Sequence, residues 1–275
     1  MLRLRIITAV VLLLLLVGSL AIGPLAFATF AAIAFGIAVF EWLRLAGWPT
    51  PATIAAGVIC GAALILLQWL GVELEGRALR ALVALTCVAW LAVALRLFHA
   101  ERHNDLALNN RLIAAAAPLL LGGAWFSMLE LYRRGTLFLF SALAVVWIAD
   151  IAAYFAGRAF GKRKLAPHIS PGKTWAGAVG AVVAVLIVSL AVWLGWPASA
   201  MFSNALFARA PVVALVALGL LVVVSIVGDL FESLLKRHAG VKDSSGLLPG
   251  HGGVLDRIDA LLPVLPVAVL LEVLL

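Results

Sequence analysis

The sequence predicts an all-α, polytopic membrane protein with about nine transmembrane helices and a cytoplasmic N-terminus. Of its 275 residues, 65% are hydrophobic and only 12% are charged, and the mean hydropathy is +1.17. A soluble domain carries about 25% charged residues, so this chain lacks the polar surface that a water-soluble globule needs. The apolar runs are continuous and reach about 20 residues, which is the length that a helix needs to cross the hydrocarbon. Such runs indicate helices rather than the shorter, alternating strands of a barrel.

Nine apolar runs qualify as candidate spans. They cover residues 6–23, 25–41, 52–71, 79–98, 112–132, 136–157, 174–196, 211–235 and 258–275. The first run could instead be a cleaved signal peptide, but its apolar stretch is too long for one and hydrophobicity resumes immediately afterwards, which favours a retained helix. We therefore treat residues 1–275 as one integral membrane domain, with N-terminal spans over about 1–135 and a motif-bearing half over about 136–275.

The basic residues predict the orientation of these helices. With a cytoplasmic N-terminus and nine spans, 15 of the 20 Lys and Arg residues fall in cytoplasmic segments and 5 on the opposite side. This excess is typical of cytoplasmic loops. It places the two longest polar loops, residues 158–173 and 236–257, on the same face of the membrane. An anionic substrate is a second reason for the net charge of +7.

Carboxylates within apolar helices are costly and usually functional. Asp150, Tyr154 and Arg158 follow i, i+4, i+8 spacing and share one helix face. Asp229 and Lys236 lie on one face of a later span. Helix arithmetic puts Asp150 and Asp229 at similar depths, so both are expected to face one polar cavity. The alternative, that each cluster is a buried ion pair holding helices together, stays open at this point.

The segment over residues 236–259 combines Lys and Arg with Gly, Ser and two carboxylates, Asp256 and Asp259. Glycine and serine let backbone N–H groups approach an anion. Hard carboxylate oxygens suit Mg²⁺, which bridges phosphate oxygens, while Lys and Arg neutralise the remaining charge. Aspartates at a helix start are also favoured by the helix dipole alone. No Cys/His set has zinc spacing, so zinc is not expected, and the sequence lacks a Walker A motif, so a soluble-type nucleotide fold is not supported. The carboxylates, basic residues and glycines together favour phosphate chemistry at the cytoplasmic face.

Residues 233–259, which read SLLKRHAGVKDSSGLLPGHGGVLDRID, resemble the signature of phosphatidate cytidylyltransferases, also called CDP-diacylglycerol synthases. Residues 150–162 and 169–174 are similar to an upstream motif of that family. The resemblance implies transfer of the cytidylyl group of CTP to phosphatidic acid, giving CDP-diacylglycerol and pyrophosphate for phospholipid synthesis. It further implies a bacterial inner membrane enzyme whose active site faces the cytoplasm. No nucleic-acid partner is expected, and a homodimer is left open.

The resemblance also implies the roles of individual residues. Its magnesium-binding aspartates correspond to Asp229 and Asp256, with Asp259 as a further ligand and room for a second cation. The predicted catalytic residues are Asp229, Asp256, Lys236 and Lys242. The predicted substrate-binding residues are Arg158, Ser170, Lys173, Arg237, His251 and Arg257, with Asp150 as a further residue of the polar cavity. Because the attacking phosphate monoester is already ionised near neutral pH, no protein general base is expected.

Three alternatives belong to other classes. An ion- or proton-coupled secondary transporter also uses acids within helices, but it predicts polar residues near mid-bilayer in several spans, whereas these cluster toward one face. A CDP-alcohol phosphotransferase requires an Asp-Gly-x-x-Ala-Arg run that the sequence lacks. A purely structural membrane protein does not require so many charges beside glycine turns.

Overall fold

The computed structural model describes residues 2–274, and within that range it does not describe the side chains of Leu2, Arg3 and Arg5. Arg3 and Arg5, which count toward the predicted orientation, are therefore outside the side chains that the structure describes. The elements are α1 (Leu2–Ile22), α2 (Pro24–Leu45), α3 (Thr50–Trp69), α4 (Gly76–His103), α5 (Asn110–Arg133), α6 (Thr136–Phe160), β1 (Lys164–Ala166), β2 (Ser170–Thr174), α7 (Trp175–Gly195), α8 (Phe202–Arg209), α9 (Pro211–His238), α10 (Leu255–Ile258) and α11 (Leu261–Leu274). The predicted all-α class is confirmed.

Seven described helices, α2 to α7 and α9, are long and apolar enough to cross a membrane, judged by length and composition. The apolar part of α1, Ile6–Ile22, is somewhat shorter. These eight helices correspond to the first eight predicted spans. An integral membrane protein is the class that such a set of apolar helices indicates.

The structure differs from the prediction at the ninth span. Residues 258–275 do not form one long helix, because the chain breaks between α10 and α11 at Asp259 and Ala260. Pro263 has no N–H, so it cannot donate to the Asp259 carbonyl four residues earlier. The remaining helix, α11, has 14 residues. At about 1.5 Å per residue it is roughly 21 Å long, which is short for a span.

Helix α11 lies in the interior of the bundle, where it packs against α4, α5 and α9. Its residues Leu262 to Val269 are all buried. A helix that is apolar on every side is buried rather than amphipathic, and this pattern is what made α11 resemble a membrane span in the sequence. The short helix is therefore a buried element packed among α4, α5, α6 and α9.

The polar segments collect at two opposite ends of the bundle. At one end, His168 contacts Glu101 and His238 accepts a hydrogen bond from the Leu108 amide, so loops from distant parts of the chain meet. At the other end, Arg134 pairs with Glu272 at 2.8 Å. The loops predicted to be cytoplasmic thus share one end of the molecule, which we call the motif end. Which side of a membrane this end faces stays a prediction.

The β1–β2 hairpin and helix α8 were not predicted. Strands β1 and β2 form an antiparallel hairpin, residues 164–174, within the loop that follows α6. The hairpin leads directly into α7, where the Thr174 side chain caps the helix by accepting from the Gly177 amide at 3.1 Å. Helix α8 packs against α6, α7 and α9 and buries Phe202, Leu206 and Phe207. Both elements are too short to produce a clear periodic pattern.

Helices α2 and α3 approach closely through glycines. A Cβ atom placed on Gly36 would lie 2.8 Å from the Gly57 carbonyl oxygen and 3.1 Å from the Gly61 Cα. Since these neighbours are backbone atoms, they cannot move aside as a side chain would. Small residues that let helix backbones approach are typical of helix contacts in membranes.

We expect Gly36→Ala to lower the free energy of unfolding by about 1–3 kcal/mol, the usual cost of overpacking. The matched control is Gly122→Ala, because a Cβ on Gly122 meets no atom within 4 Å. Thermal unfolding in detergent measures both. Equal stability of the two variants would contradict the close approach of α2 and α3.

Candidate active site

A cavity of about 580 Å³ opens at the motif end between α6, α7, α9 and the hairpin. Five charged side chains line it, namely Asp150, Arg158, Lys164, Lys173 and Asp229. Much of the remaining lining consists of small residues such as Ala153 and Gly177, because α6 and α7 are too close there for larger ones. The cavity therefore combines apolar helix walls with a few converging charges, a common composition for a binding site.

One of the two carboxylates of the cavity, Asp229, contacts a cation. The Lys173 ammonium, carried on β2, lies 2.6 Å from the Asp229 carboxylate on α9. Both side chains keep partial access to solvent, with 23% and 35% exposure. The pair connects the hairpin to α9 and places a positive charge beside the acidic lining of the cavity.

Arg158 and Tyr154 form the rim of the cavity. The Arg158 guanidinium donates to the Tyr154 hydroxyl at 3.0 Å, one helix turn earlier on α6. Among the ion pairs of residues 2–274, none involves Arg158. Its charge is therefore open to an anion, for which a planar guanidinium has suitable geometry.

A second cluster lies where the loop after α9 returns to that helix. We call residues 239–254 the signature loop. The Lys236 ammonium contacts the carboxylate of Glu232 and, at 2.7 Å, that of Asp256. All three side chains are largely buried. The other Asp256 oxygen accepts from the Ser244 amide at 2.9 Å and from the Gly253 amide at 2.7 Å. Asp256 thus joins the two ends of the signature loop.

This environment favours the ionised form of Asp256. Burial alone would raise the pKa of the Asp256 carboxyl, but the hydrogen bonds that it accepts, including those from Lys236 and the Gly253 amide, hold it well below its ordinary value. Gly252 contributes by its positive φ of 83° and by leaving space for the carboxylate, since a Cβ there would approach an Asp256 oxygen. The loop is therefore shaped around a charged Asp256.

Asp259 lies against α9 beside Asp229. A Cβ on Gly228 would overlap the Asp259 carbonyl oxygen, so the break between α10 and α11 packs directly on the residue before Asp229. Burial and, after it, the negative charge of Asp229 raise the pKa of Asp259 above its ordinary value. The structure thus brings Asp259 close to Asp229, while Asp256 is engaged by Lys236.

The remaining predicted residues lie around these two clusters. Arg257 donates to the His251 carbonyl at 2.8 Å and closes the glycine turn, and Lys242 is exposed on the signature loop. Arg237 approaches the Ile169 carbonyl of the hairpin at 3.4 Å. Ser170 begins β2 and is not among the residues that line the cavity. Lys242, Arg257 and Ser170 are therefore at the motif end but outside the cavity itself.

Two carboxylates at this end were not singled out from the sequence. Glu101 on α4 accepts from the amides of His168 and Ile169, both at 3.1 Å, and anchors the turn of the hairpin. Glu41 on α2 is buried and bonds to the signature loop. Glu41 is the last residue of the predicted span 25–41, so the expectation that a carboxylate within a span has a role did not select it; the helix in fact continues to Leu45.

The donor set suits Mg²⁺. Within residues 2–274, no three His, Cys, Asp or Glu side chains are arranged to hold a metal ion together. Mg²⁺ does not need such a set, because it usually takes one or two carboxylates and completes its shell with water and phosphate oxygens. Asp229 meets this requirement, since its carboxylate faces the cavity and contacts the positively charged Lys173 ammonium. Asp256 already accepts bonds from Lys236, Ser244 and Gly253, so it is less open to a cation than Asp229 is.

Comparison with known proteins identifies the family. A model described as the cytidylyltransferase family matches residues 3–275, and the chain belongs to that family. Members of this family make CDP-diacylglycerol from CTP and phosphatidate, so the protein is a nucleotidyltransferase. Among its relatives is a phosphatidate cytidylyltransferase of Pseudomonas aeruginosa, 40% identical over 97% of this chain and 95% of that protein. Proteins of the same name from Haemophilus influenzae (45% identical, 48% of this chain and 44% of that protein) and Bacillus subtilis (41%, 50% and 48%) match shorter stretches. The predicted family is confirmed.

We expect Glu101→Gln to loosen the hairpin, because an amide replaces a carboxylate that accepts two backbone N–H bonds. Hydrogen bonds to charged groups contribute about 1.5–3 kcal/mol, so amide exchange at His168 and Ile169 should rise about tenfold or more. Hydrogen–deuterium exchange of residues 164–174 measures this. The control is Glu75→Gln, an exposed partner of Arg133 at the opposite end. Unchanged exchange in Glu101→Gln would show that Glu101 does not anchor the hairpin.

Proposed function

We propose that this chain transfers the cytidylyl group of CTP to phosphatidic acid in a bacterial inner membrane, with the reaction at its cytoplasmic face. The observation that carries the proposal is the cavity at the motif end, where Asp150, Asp229, Lys173 and Arg158 converge. Family membership supports the reaction type, and the name of the Pseudomonas aeruginosa relative supports the lipid substrate. A lipid substrate keeps its acyl chains among the apolar helices while its phosphate reaches the polar end of the bundle.

The bond changes are simple. A phosphate oxygen of phosphatidic acid attacks the α-phosphorus of CTP, a new P–O bond forms, and the bond to the β-phosphate breaks as pyrophosphate leaves. Because the attacking oxygen is already ionised, no side chain has to remove a proton. The barrier comes from bringing two anions together and from the charge on the leaving group, so catalysis is positioning and electrostatic stabilisation.

The cationic side chains of the cavity supply part of that stabilisation. Lys173, 2.6 Å from Asp229, is placed to share its charge between the carboxylate and the phosphates of CTP. Arg158 at the rim offers a planar donor for a second phosphate. Ser170, Arg237, Lys242, His251 and Arg257 lie at the motif end, and we propose that they bind phosphate oxygens there.

Asp229 and Asp256 are proposed to hold Mg²⁺, with Asp259 as a further ligand and Asp150 completing the negative lining of the cavity. When bound, Mg²⁺ neutralises and orients the phosphates of CTP. Lys236 contacts Asp256 at 2.7 Å, so repulsion from a cation held by Asp256 would favour turning of the ammonium toward phosphate. A second cation and a homodimer are compatible with this arrangement and belong to the same proposal.

We expect Asp229→Asn and Asp256→Asn each to abolish Mg²⁺-dependent formation of CDP-diacylglycerol without preventing membrane insertion. Each change removes a negative charge from the proposed metal site and keeps the size of the side chain. The measurement is conversion of CTP and phosphatidic acid by purified protein in detergent. Asp105→Asn is the control, since Asp105 pairs with Arg96 outside the cavity. Near-wild-type activity of either variant would refute the two-aspartate site.

We further expect the purified protein to release pyrophosphate with CTP and phosphatidic acid, and at least about tenfold less with ATP, GTP or UTP. A tenfold preference corresponds to about 1.4 kcal/mol of differential stabilisation. Pyrophosphate release that is independent of phosphatidic acid, or the absence of any release, would contradict the proposed reaction. A secondary transporter would release none.

A further inference from the structure

Glu41, at the motif end of α2, is a buried carboxylate that the proposed reaction does not use. Its side chain is fully buried, at 0% exposure. A buried carboxylate is costly unless hydrogen bonds compensate for its lost hydration. It does not line the cavity between α6, α7 and α9. The role of Glu41 must therefore be inferred from the groups that donate hydrogen bonds to its carboxylate.

All the hydrogen bonds that Glu41 accepts come from the signature loop and the start of α10. The hydroxyl of Ser245 donates at 2.5 Å and that of Ser244 at 3.1 Å. The amides of Val254 and Leu255 donate at 3.1 Å and 2.6 Å. These four donors are neutral hydroxyl and amide groups. Among the ion pairs of residues 2–274, none involves Glu41. The two carboxylate oxygens thus bind both ends of the loop at once.

These four donors surround Asp256. Leu255 directly precedes it, and Ser244 contacts it through both its amide and its hydroxyl, the latter at 2.8 Å. The Ser244 hydroxyl lies within hydrogen-bonding distance of Glu41 and Asp256 together. Glu41 is consequently linked to Asp256, a proposed metal ligand, through the single residue Ser244. The two carboxylates come from opposite ends of the sequence.

Two further contacts show that the loop is closely fitted to α2. The Arg44 guanidinium, one turn after Glu41, donates to the Ser244 carbonyl. A Cβ atom on Gly253 would overlap both the Ser244 hydroxyl and the Glu41 carboxylate, so the loop can pass there only as glycine. The end of α2 is therefore a template against which the signature loop is folded.

We propose that Glu41 is a positioning residue for the proposed cytidylyl transfer, and that it acts by fixing the signature loop so that Asp256 is held in its catalytic orientation. The proposal rests on the proposed function. Glu41 does not touch substrate; it acts through Ser244, Leu255 and Asp256. A residue that only stabilised the bundle would affect unfolding but not the rate of transfer by the folded protein.

The first test compares steady-state kinetics of purified Glu41→Gln, Glu41→Asp and Glu272→Gln in detergent with CTP, Mg²⁺ and phosphatidic acid. Gln keeps the size of the side chain but presents N–H groups to N–H and O–H donors. We expect kcat of Glu41→Gln to fall at least about 20-fold, or about 1.8 kcal/mol, with KM for CTP changed less than about threefold. Glu41→Asp, which keeps the charge, should recover part of the rate.

Glu272→Gln is the matched control, because Glu272 is also a buried carboxylate, paired with Arg134 and Arg209 at the opposite end. We expect it to lower thermal stability but to retain kcat within about twofold. Equal losses of kcat in Glu41→Gln and Glu272→Gln would overturn the positioning role, and so would a kcat of Glu41→Gln within twofold of the wild-type value.

The second test does not require activity. Hydrogen–deuterium exchange should accelerate at Val254 and Leu255 at least about tenfold in Glu41→Gln and remain unchanged in Glu272→Gln. An inactive wild-type protein would refute the proposed function, while this exchange measurement would still decide whether Glu41 holds the loop. Unchanged exchange at both amides would overturn the proposal.

If Glu41→Gln does not fold, Ser245→Ala removes one donor to Glu41 and leaves the carboxylate in place. We then expect a smaller loss, about fivefold in kcat, with faster exchange in residues 245–247, because the Leu247 amide also bonds to the Ser245 hydroxyl. Wild-type kcat in Ser245→Ala would overturn the proposal in that case.

Discussion

The position of the Lys236 ammonium between Glu232 and Asp256 is the interaction on which the motif end depends. Glu232 lies one turn earlier on α9, and Asp256 follows 20 residues later, after the signature loop. In an apolar bundle a buried charge without a partner is strongly unfavourable, and removing one member of such a group costs about 3–5 kcal/mol. The requirement to pair these charges therefore brings the chain back to α9 and closes the loop.

Helix α9 links this closed loop to the cavity. It carries Asp229, Glu232 and Lys236 at i, i+3 and i+7, so one helix face supplies both the cavity carboxylate and the attachment of the loop. Lys173 connects the same face to the hairpin, and Glu101 secures the hairpin to α4. Lys173, Lys236 and Glu101 are thus each held by a partner from another segment, which provides a preorganised electrostatic environment for phosphates.

Much of this arrangement follows from local spacing and could be predicted from the sequence. Apolar run lengths predicted eight of the helices, and helix arithmetic placed Asp150 and Asp229 at similar depths, facing the one cavity that both line. The break before α11 and the role of Glu41 could not be predicted in this way. Burial of α11 on all sides looks the same in sequence as a lipid-facing span, and Glu41 meets Ser244 across 203 residues. Such contacts depend on how helices pack, which periodicity does not encode.

The most direct test of this account is a double-mutant cycle on Lys236 and Asp256, with the free energy of unfolding in detergent measured for Lys236→Met, Asp256→Asn and the double variant. Each single change leaves a buried charge with one partner fewer. The account therefore predicts that the loss in the double variant is smaller than the sum of the two single losses by at least about 1 kcal/mol. Additive losses, within about 0.5 kcal/mol, would contradict the claim that this ion pair closes the signature loop on α9.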